Sequence, residues 1–207
     1  MISCMGNYVY TIGYTAFDIV EFINKLKEYK ISCLIDVRSN PVASEYYENY
    51  SKIYLEPLLK SNGIHYRNYS SEFGARQENP IFYRKYGYLD FEHFIKTEAF
   101  QAGVAKIKKG LNSGLNCVLM CAEKDPIACH RTIMVAKGLK EAGLDIRHIT
   151  ADNKLLTQED IEKRLLDMYF PNRNQLGLFN TKTEEDYLIE AYSIQNSKIG
   201  YKKDGVA

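Results

Sequence analysis

Five short runs of β-forming residues recur along the chain: YVYTIG (8–13), SCLIDV (32–37), IHYRNY (64–69), NCVLMC (116–121) and DIRHIT (145–150). Helix-period sequence lies between them, and this alternation constrains the fold more than any other feature, because parallel strands need long crossovers and helices supply them. In the first crossover Ile19, Phe22, Ile23 and Leu26 fall on one helical face, with Thr15 and Asp18 spaced as a capping box. SKIYLEPLLKSNG predicts a helix closed by Gly63, with Pro57 in its first turn or bending it. FEHFIKTEAFQAGVAKIKKGLNSG gives one or two helices before Gly114, and Asp125 and Pro126 open a further helix that Gly143 closes. The expected fold is α/β, a doubly wound, mostly parallel Rossmann-like or flavodoxin-like sheet of about five strands with helices on both faces.

Residues 151–207 read differently, with a helix around QEDIEKRLLDMYF, a turn at PNRNQLG and a second helix around TEEDYLIEAYSIQNSK. They are expected to form a C-terminal helical extension packed on an α/β core of residues 1–150. The 207-residue length suits one such core and leaves no room for a second large domain. No run approaches the ~18 apolar residues of a membrane span, and the start lacks the layout of a signal peptide. A cytoplasmic protein with no membrane partner is therefore expected. Five cysteines is an odd count, and Cys33, Cys117 and Cys121 lie in apolar strand-like runs, which favours reduced thiols over a disulfide framework. A formal net charge of +1 argues against a long basic nucleic-acid-binding face but leaves room for a local cationic pocket.

Ligands of doubly wound sheets bind beyond the carboxyl ends of the strands. Standing there are Gly13, Tyr14 and Thr15, then Asp36 to Ser39, Tyr66 to Tyr69, Cys121 to Glu123, and His148. The densest chemistry is CAEKDPIACHR (121–131). Cys121 and Glu123 end a strand, while Cys129, His130 and Arg131 stand near a helix start whose free N–H groups and dipole favour anions, with Arg131 as a two-pronged donor. The same field would lower the Cys129 pKa towards a thiolate nucleophile, and Glu123 can act as base or hold Arg131 or His130. The plainer alternative is two buried hydrophobic cysteines beside an internal Glu123 to Arg131 ion pair.

Adjacent residues on a helix diverge by roughly 100°, and no second CxxC or HxxxH completes a tetrahedral set, so neither a metal nor another cofactor is expected. The five-residue gap between Cys and Arg of a phosphatase loop is missing too, since from Cys121 that position is Ile127.

LIDVRSNPVAS (34–44) sets Asp36 and Arg38 at a strand end, a costly place for charge unless it pairs or binds something. Pro41 opens a loop there, and Ser44 offers a hydroxyl to a phosphate or a cap. Nine of the 17 tyrosines lie between Tyr46 and Tyr88, interleaved with Arg67, Arg76, Arg84 and Lys85. That mixture suits stacking on a base while contacting phosphate, and it equally suits half-buried packing. In SEFGARQ (71–77), Gly74 allows close approach and Arg76 can close over a ligand.

TIGYT with Phe17, LIDVRSNPVAS, GIHY, SEFGARQ, CAEKDPIACHR, DIRHI and IEAYSIQNSKIGY together resemble the bacterial and archaeal family catalogued as domain of unknown function 488. The resemblance spans nearly the whole chain, and its most specific part is the Cys-x-Glu followed by Cys-His-Arg. Tyr14 stands where that family commonly has histidine, and Ala75 replaces the second glycine of a Leu-Gly-Gly type loop. The resemblance implies an α/β fold with this rim as its shared site and implies no settled activity. LIDVR and the elements after it also look faintly like rhodanese sulfurtransferases, from whose active loop the Cys-to-Arg spacing departs.

The expectation is a small enzyme acting on a phosphorylated or nucleotide-like substrate, nucleic acid included. Asp36, Glu123, Cys129 and His130 are its candidate catalytic groups. Gly13, Tyr14, Arg38, Ser39, Ser44, Tyr66, Tyr69, Gly74, Arg76, Cys121 and Arg131 are the candidate binding residues, with Tyr66 or Tyr69 stacking on the ligand. A non-catalytic nucleotide- or nucleic-acid-binding module and a thiol-based sulfurtransferase or redox enzyme are the competing classes.

Overall fold

CVLMC at 117–121 is buried at every position, as a strand covered on both faces of a parallel sheet must be. The computed structural model describes residues 8–85, 87–173 and 182–203. In chain order the elements are β1 (Tyr8–Gly13), α1 (Ile19–Glu28), β2 (Cys33–Asp36), α2 (Lys52–Ser61) and β3 (His65–Asn68). The single turns α3 (Ser70–Phe73) and α4 (Phe91–Phe94) precede α5 (Glu98–Asn112) and β4 (Cys117–Cys121). Then come α6 (Lys137–Glu141), β5 (Asp145–Ile149), β6 (Leu155–Thr157), α7 (Gln158–Tyr169) and α8 (Glu184–Ile199).

The sheet runs β3-β2-β4-β1-β5-β6, with β1 to β5 parallel and β6 antiparallel to β5. The protein is thus the α/β, doubly wound, mostly parallel type expected, with a sixth strand. Alternate strand residues feed two cores. On one face Ile12, Leu34, Val118, Met120 and Ile149 pack with Phe22 and Leu26 of α1 and Leu55 and Leu59 of α2. On the other, Val9, Ile35, Leu119 and Ile146 pack with Phe100 and Val104 of α5, Leu139 of α6, Ile161 and Leu165 of α7 and Tyr192 of α8.

Several local expectations are revised. The capping box of α1 is Asp18 with Glu21, because Asp18 accepts from the Val20 and Glu21 amides while Glu21 accepts from the Asp18 amide. Thr15 instead donates its hydroxyl to the Ala122 carbonyl, joining two strand ends. Pro57 lies inside α2, beyond its first turn. Asp125 caps only a short 3-10 turn at Pro126–Ala128, and the helix breaks at Cys129 before resuming as a π-helical turn, Arg131–Ala136, that runs into α6. Beyond residue 150 the chain adds β6 to the sheet and the α7 and α8 side chains to the core. The turn at PNRNQLG lies partly outside the described residues. Among the described residues no helix is long and apolar enough to cross a membrane.

Candidate functional site

The register places Gly13 beside Cys121 and Asp36 beside Met120, so β1, β4 and β2 end side by side. The chain leaves β1 and β2 toward the face covered by α1 and α2, whereas it leaves β4 toward the opposite face. Adjacent strands that send their connections to opposite faces open a crevice at their carboxyl ends. Gly13 lets the ends close up: a Cβ there would lie 1.9 Å from the Glu123 carbonyl oxygen and 3.1 Å from Nη2 of Arg131.

The break at Cys129 organises the chemistry. Cys129 is extended (φ −128°, ψ 138°), His130 is helical (φ −61°, ψ −28°), and the Cys129 carbonyl accepts from the Thr132 and Ile133 amides. Cys129 therefore stands where an N-cap stands, and its Sγ accepts from the Arg131 amide at 3.4 Å. The helix start that promised an external anion site is turned on the protein's own sulfur. The divergence expected of neighbours on one helix does not occur, because Cys129 is not on the helix. One donor atom each from Cys121, Glu123, Cys129 and His130 lies within 4.8 Å of all the others.

Within this cluster His130 Nε2 lies 3.0 Å from the Val37 carbonyl, to which only an N–H can donate, so Nδ1 faces Cys121 Sγ at 3.6 Å. Glu123 is an exposed residue, yet its Oε2 accepts from Cys129 Sγ at 2.8 Å. Burial pushes the Cys121 thiol well above its ordinary range, and the neighbouring Cys129 adds to this. Burial opposes charge on Cys129 too, but the Cys121 hydrogen bond, Arg131 and His130 outweigh it and hold that thiol well below its ordinary value. Burial and then Cys129 raise the Glu123 carboxyl. The two shifts run in opposite directions across one hydrogen bond, which couples the Cys129 thiol to the Glu123 carboxyl.

Arg131 neither lines the crevice nor reaches solvent: it is fully buried, and Nη1 donates to the Glu123 carbonyl at 2.6 Å. Its Nε and Nη2 have no hydrogen-bond partner among the described residues. An ion pair with the Glu123 carboxylate is not what holds it. His148 is also buried, not on the rim, with Nδ1 2.8 Å from the Thr11 hydroxyl and Nε2 2.8 Å from the Gln158 side-chain oxygen. Burial, with Arg131 adding to it, lowers the His148 pKa to about 4. The imidazole is thus neutral in the fold and takes a proton on unfolding, so its contribution is complete above pH ~6.5 and is lost as pH falls toward 4. Denaturant melts should lose about 2 kcal/mol from this group between pH 7.5 and 5, and His148→Gln should flatten that slope. An equal slope in both proteins would contradict a neutral buried imidazole.

Asp36 is sealed behind Arg38. Its Oδ1 accepts from the Arg38 amide at 3.0 Å and Nε at 2.9 Å, and its Oδ2 from Nη2 at 2.6 Å and the Tyr66 hydroxyl at 2.7 Å. Asp36 thus positions Arg38, and Tyr66, buried with its hydroxyl engaged, presents no face for stacking. Tyr69 packs on Phe73, and Ser44 is exposed at the start of a 3-10 stretch; neither lines the crevice.

The crevice is a cavity of about 380 Å³ lined by Tyr14, Arg38, Ser39, Arg76, Cys121, Glu123 and His130 among others. Arg38 Nη1 is left without a hydrogen-bond partner among the described residues. Arg76 is brought over by its amide donating to Ser39 Oγ at 2.8 Å, an approach that needs Gly74, whose Cβ would lie 2.7 Å from that oxygen. Sequence reasoning missed Ile199 and Tyr201, which complete the lining; Arg76 lies over the Tyr201 ring at 4.6 Å. The signal was present in IEAYSIQNSKIGY, but only tertiary pairing, such as the Leu89 amide donating to the Tyr201 carbonyl, brings it here. A larger groove of about 1180 Å³ beside α2, lined by residues such as Pro41, Val42, Ile53 and Pro57, gathers none of this chemistry.

Fold and site define a doubly wound α/β protein whose strand ends carry a Cys/Glu/His cluster beside an arginine-lined cavity. The chain belongs to the family described as Domain of unknown function DUF488, whose model matches residues 18–137, more than half of it. No curated protein and no solved structure matches the chain.

Proposed function

We propose that the protein is a small enzyme acting on a phosphorylated or nucleotide-like substrate bound in the cavity beyond β1, β2 and β4. The observation that carries this reading is the pairing of cations and a carboxyl across one cavity: Arg38, with Nη1 unpartnered among the described residues, and Arg76 share it with Glu123. Its volume suits a nucleotide-sized ligand. Arg38 and Arg76 hold the anionic group, Tyr14 and Tyr201 supply aromatic walls, and Glu123 moves the proton. Arg131 is fully buried and leaves the binding of the anion to Arg76.

Calorimetric titration with inorganic phosphate and nucleoside monophosphates, together with phosphate release from a panel of phosphomonoesters, tests this. Arg76→Ala, at an exposed position, should weaken binding ~10-fold. Glu123→Gln should keep binding and lower turnover at least ~100-fold. Binding unchanged by Arg76→Ala would sink the reading, and binding without turnover in the unmodified protein would leave a non-catalytic binding module. The thiol-enzyme reading has the lowered Cys129 thiol pKa in its favour, but that residue is only 1% exposed and does not line the cavity.

A further inference from the structure

We infer that Cys121, Glu123, Cys129 and His130 form a binding site for a zinc-like divalent cation at the inner wall of the cavity. Two sulfurs, one imidazole nitrogen and one carboxylate oxygen are a donor set suited to zinc, a borderline-soft ion that takes four ligands tetrahedrally. With Zn–S near 2.3 Å and Zn–N near 2.0 Å, a tetrahedral sulfur-to-nitrogen edge is about 3.5 Å. Cys121 Sγ and His130 Nδ1 already stand 3.6 Å apart. The widest separation in the set, within 4.8 Å, has to close by about one ångström. The short Cys129 to Glu123 contact has to open, which the exposure of Glu123 permits.

The surroundings favour the same occupant. The second ring nitrogen of His130 is held by the Val37 carbonyl, the arrangement that aims a ligating histidine. Two thiolates and a carboxylate around a divalent ion leave one net negative charge. Arg131, fully buried beneath with Nε and Nη2 unpartnered among the described residues, offsets it. Cys121, Cys129 and His130 are buried, whereas Glu123 is exposed as well as lining the cavity, so the fourth position is the one that can open to water or a ligand oxygen. The cation thereby deepens the proposed function, on whose cavity it borders, but its binding requires no substrate.

The test adds Co²⁺, then competing Zn²⁺, to the reduced, chelator-treated full chain and reads visible d–d bands and the near-ultraviolet thiolate-to-cobalt band. One tetrahedral Co²⁺ per chain is expected, with a charge-transfer intensity matching two thiolates, displaced by stoichiometric Zn²⁺. Cys129→Ser should weaken binding more than ~100-fold, and Glu123→Gln ~10-fold with a changed d–d envelope. If Cys129→Ser fails to fold, the thiolate count in the unmodified protein and the Glu123→Gln envelope still decide. Absence of tetrahedral bands, a one-thiolate intensity, or a Cys121–Cys129 disulfide that forms in air in preference to metal binding would overturn the inference. None of these results alters the phosphate titration, so the two readings fail separately.

Discussion

Asp36→Ala is expected to lower stability by about 3–5 kcal/mol, because it leaves the Arg38 guanidinium buried without its carboxylate. Four donor groups converge on Asp36, and Tyr66 loses its acceptor in the same stroke. The urea midpoint should fall with the slope unchanged. Replacing the pair together, Asp36→Leu with Arg38→Met, should recover about half of the loss, since the isolated charge and not the missing attraction dominates the cost. A single variant within ~1 kcal/mol of the parent would mean that water already screens the pair.

Gly13→Ala is expected to be comparably severe, at about 3 kcal/mol or more. At φ −105° the backbone itself tolerates alanine, so the cost is steric. The methyl would sit 1.9 Å from the Glu123 carbonyl oxygen, a backbone atom that cannot swing aside as a side chain would. Relief requires β1 and the 121–123 segment to part, which also spreads the Cys/Glu/His cluster. Denaturation should therefore show the loss together with a weakened cobalt spectrum. Full stability in the alanine variant would show that the strand ends separate freely.

The sequence announced β2 and β4 as buried apolar runs, CVLMC the clearer of them, and β1, β3 and β5 by their β-forming residues. β6 escaped because Leu155–Thr157 is only three residues long at a sheet edge, too short for any period. The insertion of β4 between β2 and β1 is a matter of long-range pairing that no local pattern encodes. For the site, the strand-end rule located Gly13, Tyr14, Arg38, Ser39, Cys121 and Glu123 together, and the CAEKDPIACHR motif added His130. It misplaced Tyr66 and His148, because strand parity turns both side chains into the interior. Asp-Pro reads locally as the start of one helix, and only the tertiary seat of Cys129 reveals that the turn ends there and a second helix begins.

The wall supplied by Ile199 and Tyr201 also has a meaning in time. Asn196 bonds to Phe91 and Leu89, Gln195 to Ile127, and Tyr201 to Leu89, so the last described stretch is stitched back onto segments made far earlier. While the chain is still being synthesised, the sheet and the Cys/Glu/His cluster can form with one side of the crevice open. The cavity therefore gains its last wall only once Tyr201 has been made and has docked.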